Sequence, residues 1–301
     1  MLFNNKDVFE QVILKVSGDT GIDAAIIEKD YYVTLFLKRI VELQPNIVFK
    51  GGTSLSKCYK IINRFSEDID LNIDTESKVT EGQRKKLKEN IVTVINEFSF
   101  TLENAENVKS KRNYNKYLIE YPAIFSSNFI KEHLIIETAV FTRAYPYEKM
   151  SASSIIYDYL YNNGYEKIIS EYNELLPFKT NVQSADRTFI DKLYALGDYY
   201  LDNCVQEHSR HIYDIFKLYN IVEINEGLKQ LVKEVYIERE PNKQCRSAKA
   251  GVDMNTLLQE IIDKDVYKKD YEERTSKMLF EYVPYSEAIE VLQKIADYKL
   301  F

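Results

Sequence analysis

The chain has 301 residues, 45% hydrophobic and 29% charged. That is the make-up of a folded protein with one large or two ordinary cores, and it excludes collagen-like, disordered and disulfide-scaffold classes. Forty Lys and Arg against 47 Asp and Glu leave a net charge of −7, so the protein does not coat nucleic acid by bulk electrostatics, and any such contact needs a local basic patch.

Cys58, Cys204 and Cys245 lie far apart with no C-x-x-C pair, which supports neither a disulfide framework nor a cysteine zinc site. With no stretch of about 18 uninterrupted apolar residues, the expectation is a cytoplasmic protein without signal peptide or membrane span. Apolar residues recur at helical spacing over residues 7–16 and 22–43, with Gly18 and Gly21 between, so the chain opens with two helices. Ile47-Val48-Phe49 runs into Gly51-Gly52 and then Thr53-Ser54-Leu55-Ser56-Lys57, which reads as strand, tight turn and capped helix. Residues 68–73 alternate polar and apolar as a second strand. Thr80 with Gln83 predicts a capping box at the start of a long helix ending near Phe98.

Strand-like runs follow at residues 98–102, 117–125 and 133–141, and together these predict a mixed sheet of about five strands flanked by helices. Beyond Ser151 the texture turns helical, at residues 155–161, 188–201, 210–221, 227–237, 256–262 and 286–298. The expected architecture is α+β, with the N-terminal helices and core over residues 1–150 and an all-helical domain over 151–301.

Gly51 and Gly52 let backbone amides approach an anion, and a helix beginning near Thr53 adds its dipole at the same spot. By itself the pair also reads as an ordinary turn. In a strand, Asp68 and Asp70 project on one face while Ile69 and Leu71 enter the core. Two like charges held side by side repel, so the arrangement is costly unless a divalent cation neutralises it; magnesium takes one or two such carboxylates plus substrate phosphates. The plainer alternative is a solvated edge strand with incidental acids, Glu67 and Asp74 among them. Three basic clusters, within residues 84–88, 109–116 and 243–249, are ordinarily solvated faces. An RNA partner would have to use one of them, and Lys111 with Arg112 and Lys243 with Arg246 are the candidates. His208 and His211 lack a third ligand and make no zinc site.

Phe49-Lys50-Gly51-Gly52-Thr53-Ser54-Leu55-Ser56-Lys57, leading to Arg64-Phe65-Ser66-Glu67-Asp68-Ile69-Asp70-Leu71, resembles the signature of the AbiEii/AbiGii nucleotidyltransferase toxins of abortive-infection and type IV toxin–antitoxin systems. Glu28-Lys29-Asp30-Tyr31-Tyr32 is similar to that family's N-terminal stretch, and Arg187-Thr188-Phe189-Ile190-Asp191-Lys192-Leu193 and Arg210-His211-Ile212-Tyr213-Asp214-Ile215 to its two later helical motifs. Asp191 stands where the family commonly has Glu, and nothing after Ile221 aligns.

The resemblance implies a DNA polymerase β-like nucleotidyltransferase core with a helical C-terminal portion, acting on an NTP with Mg²⁺ or Mn²⁺. It implies that Asp68 and Asp70 hold the metal, that a third carboxylate on a neighbouring strand (Glu137 ahead of Glu120) completes the ion site and helps deprotonate the acceptor hydroxyl, and that Lys192 and Asp214 form a later catalytic pair. Phosphates would lie against Gly51, Gly52, Thr53 and Ser54. From helix geometry, Phe189, Leu193 and Leu196 face the core and leave Lys192 on a flank, free to reach a phosphate. Asp214 lies four residues after Arg210, the spacing of an ordinary helix ion pair, and Asp191 and Arg187 share that spacing. The implied acceptor is the tRNA 3′ end, opposed by a separately encoded antitoxin. A protein hydroxyl as acceptor, and a nucleotide-binding module without turnover, are the alternatives.

Overall fold

A computed structural model describes residues 1–75, 78–127 and 130–301. They form two compact units, one of Met1–Lys60 with Ser66–Val182 and the other of Ile61–Phe65 with Gln183–Phe301. The division falls after Val182, while the texture of the sequence changes near Ser151.

The first unit opens with α1 (Lys6–Thr20), which ends at Gly21 in the left-handed region, and α2 (Ala24–Leu43), capped by the Asp23 carboxylate on the Ala25 N–H. Then come β1 (Ile47–Lys50), the short helix α3 (Gly51–Ser54) running on as a π-helical stretch (Leu55–Tyr59), and β2 (Asp68–Ile73). α4 (Glu81–Glu97) starts on the expected Thr80/Gln83 capping box. β3 (Thr101–Leu102), β4 (Tyr114–Glu120), β5 (Leu134–Ala139), β6 (Tyr147–Ala152), α5 (Ile155–Asn162), α6 (Glu166–Glu171) and β7 (Phe178–Gln183) complete the series.

Among the described residues one seven-stranded sheet runs β3-β4-β5-β2-β1-β7-β6. β2 lies between β5, to which it is parallel, and β1, to which it is antiparallel. The fold is the expected α+β, with two strands more than the sequence pattern shows. β6 is a largely exposed strand at the end of the sheet, and β7 buries only Thr180, Val182 and Gln183. β6 lacks the β-branched and aromatic run that marks a strand in a sequence, whereas β7 does alternate Phe178, Thr180 and Val182 with polar residues, a short strand pattern within a stretch that otherwise reads as helical. β3 is shorter than expected because Ser99, at φ +57°, turns the chain out of α4. β4 stops before Pro122, which has no N–H for a ladder.

The second unit is helical after Gln183: α7 (Ala185–Leu201), α8 (Arg210–Leu218), α9 (Glu226–Arg239), α10 (Met254–Asp263), α11 (Lys268–Asp270), α12 (Ser276–Met278) and α13 (Tyr285–Tyr298). The segment Ile61–Phe65 joins it by backbone pairing, with the Phe65 N–H on Met278 O and the Phe280 N–H on Asn63 O. No described helix is long and apolar enough to cross a membrane.

Gly197 in mid-α7 decides how closely α7 is approached, since a Cβ there would lie 2.8 Å from Ser247 Cβ and 2.9 Å from Leu257 Cδ2. Helix propensity favours Gly197→Ala by about 1 kcal/mol, whereas overpacking costs ~1–3 kcal/mol. Packing should win, and urea unfolding should show the variant less stable than wild type by up to about 2 kcal/mol.

Candidate active site

β2 carries Asp68 and Asp70 on one face, while Ile69 and Leu71 are fully buried on the other. Strand register sets a row of charges across that face: Lys50 on β1 is opposite Asp70, Asp70 is beside Glu137 on β5, and Glu137 is opposite Lys116 on β4. Glu137 is therefore the acid that β5 brings next to Asp70. Glu120 stands at the end of β4, four residues past Lys116 and opposite Thr101. The outlying acids of the face have lysine partners, Asp68 with Lys131 at 3.3 Å and Glu137 with Lys116 at 3.4 Å. Among the described residues no three His, Cys, Asp or Glu side chains are gathered into a metal-holding group. The oxygen donors of Asp68 and Asp70 on one strand face nevertheless suit a hard cation that needs one or two carboxylates.

Gly51 has φ +76°, and a Cβ there would lie 1.9 Å from Asp70 Oδ2. Glycine is thus required twice over, for its backbone angle and for the space that Asp70 takes. Thr53 and Ser54 are fully buried, contrary to the expectation that they meet phosphate. The Thr53 hydroxyl donates to Asp68 O at 2.6 Å and ties the segment to β2, while the Ser54 hydroxyl donates to Gly51 O at 2.8 Å within the segment itself.

The Glu28-Lys29-Asp30 run turns inward from α2, and each residue fastens a different segment. Glu28, fully buried, accepts the N–H groups of Ile124 and Phe125 at 2.8 and 2.9 Å. Burial still pushes its carboxyl above the usual range. Lys29, also fully buried, pairs with Glu67 at 2.6 Å, and burial pushes its ammonium down. Asp30 accepts Lys57 Nζ at 2.5 Å and the Ile155 N–H at 2.7 Å. Sequence reasoning assigned these residues no role. The available signal was that three consecutive charges span about 200° of a helix, too wide for the solvent side of an otherwise apolar segment.

In the second unit Asp214 is fully buried and shared by two cations. Arg64 grips it bidentately, Nε to Oδ1 and Nη2 to Oδ2, both at 2.7 Å, and Lys192 Nζ lies 2.6 Å from Oδ2. Burial alone would raise the Asp214 carboxyl, but Arg64 and Lys192 hold it well below the usual carboxylate range. Burial pushes the Lys192 ammonium down. Lys192 is therefore not on a free flank, because the α7 face next to its apolar ridge is itself covered. Arg210 turns to Glu207 O at 2.9 Å instead of pairing with Asp214. Arg64 was missed because its partner is 150 residues away in sequence. Arg187 bridges Asp191 at 3.2 Å and Glu238 at 2.9 Å.

Lys111 and Arg112 are exposed near the start of β4, and Lys243 is exposed after α9. Arg246, also exposed, is paired with Asp202 at 3.0 Å.

The family model of the nucleotidyl transferase AbiEii toxin, type IV TA system, matches residues 35–292. A search of curated proteins finds no match. Among solved structures the chain is similar to MenT4, a nucleotidyltransferase toxin from Mycobacterium tuberculosis H37Rv, at 15% identity and a TM-score of 0.56, over 95% of this chain and 89% of that one. At that identity the likeness is one of fold.

Gly51→Ala should abolish activity and lower the melting temperature, because the new methyl group must displace the Asp70 carboxylate; a variant with wild-type turnover would show the close approach to be dispensable. Asp214→Asn leaves two buried cations without their anion and should cost about 3–5 kcal/mol at neutral pH. A depressed carboxyl stabilises above its unfolded value of 3.8 and loses that contribution as pH falls below it. Denaturant unfolding at several pH values should therefore show the gap between variant and wild type shrinking in acid.

Proposed function

Because the chain belongs to the AbiEii family of type IV nucleotidyl transferase toxins, we propose that its nucleotidyl transfer uses an NTP with Mg²⁺ and adds to an RNA acceptor, the tRNA 3′ end. The observation that carries this reading is the acid face of β2: two aspartates side by side, Glu137 in register, and the Gly51 backbone packed on Asp70. Asp68 and Asp70 would hold the ion, with Glu137 as the neighbouring acid that accepts the proton of the acceptor hydroxyl. When bound, such an ion supplies charge stabilisation to the attacking and leaving oxygens of an in-line displacement.

The rest falls to the chain's own groups. Gly51 and Gly52 let the backbone come close to the phosphates, in a turn that the Thr53 and Ser54 hydroxyls keep rigid. In the second unit, Lys192 would offer a phosphate a preorganised cation, which acts best where water is excluded. Asp214 and Arg64 position that lysine. Asp214 is the one hydrogen-bond acceptor its ammonium has among the described residues, which leaves donors over for a ligand.

A type IV toxin implies an antitoxin partner, and an RNA acceptor puts the reaction in the cytoplasm. Lys111, Arg112 and Lys243, exposed on an otherwise acidic chain, together with Arg246, would contact phosphates rather than bases.

Incubation with total RNA, Mg²⁺ and each α-labelled NTP tests the reading. Label should appear on RNA of tRNA size and vanish in Asp68→Asn and Asp70→Asn, with tRNA affinity falling steeply with salt. Label on protein with none on RNA would move the acceptor to a protein hydroxyl. Full activity of either asparagine variant would overturn the assignment of the acid face.

A further inference from the structure

The ion pair between Lys29 and Glu67 is buried, with the two side chains 0% and 14% exposed. Removing two charges from water costs about as much as their attraction returns, so such a pair is poor evidence of stabilisation for its own sake. This pair spends its remaining hydrogen-bonding capacity on a single residue. Glu67 Oε2 accepts the backbone N–H of Lys131 at 3.1 Å, and the Lys29 ammonium donates to the backbone carbonyl of Lys131. Both polar groups of one residue's main chain are thus clamped by two buried, opposite charges. Lys29 reaches it from α2, and Glu67 is the residue immediately before Asp68.

The side chain of the clamped residue returns to the acid face. Lys131 Nζ lies 3.3 and 3.5 Å from the two oxygens of Asp68 and 3.5 Å from Glu67 Oε1. The clamp holds the main chain through a fully buried ammonium and a largely buried carboxylate, but the Asp68 contact is long and the lysine side chain is 41% exposed. Ion pairs of that kind are weak and readily exchanged. A fixed main chain with a loosely held ammonium suits a group that must change partners without leaving the site. A divalent cation, with twice the charge and no stem to constrain it, outcompetes one ammonium for Asp68. The released ammonium, still anchored at its own backbone, then stands beside the phosphates that accompany the ion, where a lysine point charge serves well.

We propose that Lys131 is the displaceable counter-ion of Asp68: it neutralises that carboxylate in the metal-free chain, yields it to the divalent cation, and passes to a phosphate of the incoming NTP. The proposal rests on the nucleotidyl-transfer reading above and gives it an order of events, with counter-ion release preceding the grip on nucleotide.

The test is the sign of two binding changes in Lys131→Gln, measured on the full chain without turnover. Mn²⁺ binding, followed by electron paramagnetic resonance without nucleotide, should tighten about five-fold, because the competitor for Asp68 is gone. Binding of α,β-methylene NTP analogues at saturating Mn²⁺ should weaken about five-fold, because the phosphate contact is gone. Lys131→Arg should restore nucleotide binding, which separates the charge from the fold. Two changes of the same sign, or none, with wild type binding both ligands, overturn this proposal while leaving the proposed function standing. If wild type binds neither Mn²⁺ nor any of the analogues, the proposed function falls, and this proposal falls with it.

Discussion

Two aspartates share one face of a strand whose other face is sealed in the core, and holding those like charges together is the constraint to which the rest of the first unit answers. Ile69 and Leu71 are fully buried, so β2 cannot rotate to separate the carboxylates. A one-residue slip would exchange the acid face for the apolar one. The repulsion is instead met from the flanks. Strand register sets Lys50 across from Asp70 and Lys116 across from Glu137, and the Lys29–Glu67 clamp delivers Lys131 to Asp68. Gly51 has no side chain because the Asp70 carboxylate occupies that space.

The motifs that mark the family in the sequence are mostly supports. Glu28, Lys29 and Asp30 hold three segments with buried charges. Thr53 and Ser54 spend their hydroxyls on backbone carbonyls. In the second unit, Arg64 and Lys192 meet on one buried carboxylate, so Asp214 fixes the lysine's position by the same means as the clamp on Lys131: a polar group that is costly to leave unpaired has few places to go. Both arrangements exchange solvation for precise position.

What the sequence by itself determined follows from short-range physics. Helix periodicity, the Thr80/Gln83 cap and the alternation at residues 68–73 are local, and each element formed close to where the pattern puts it. The Asp-x-Asp face needed only the two-residue period of a strand, and the likeness of the signature to AbiEii toxins is carried by contiguous residues. The places where the pattern failed are those where neighbours in space decide. β6 is a strand because the sheet supplies a partner for a polar segment that no local preference makes extended. The sequence already ranked Glu137 ahead of Glu120, but only register between β2 and β5 shows it beside Asp70. Only the tertiary fold revealed that Lys192 is enclosed, that Asp214 answers to Arg64 and not to Arg210, and that Lys131 faces Asp68. Sequence spacing orders residues along one helix or strand, whereas a buried charge takes its partner from whatever the packing brings within about 4 Å, and that distance has no counterpart in sequence separation.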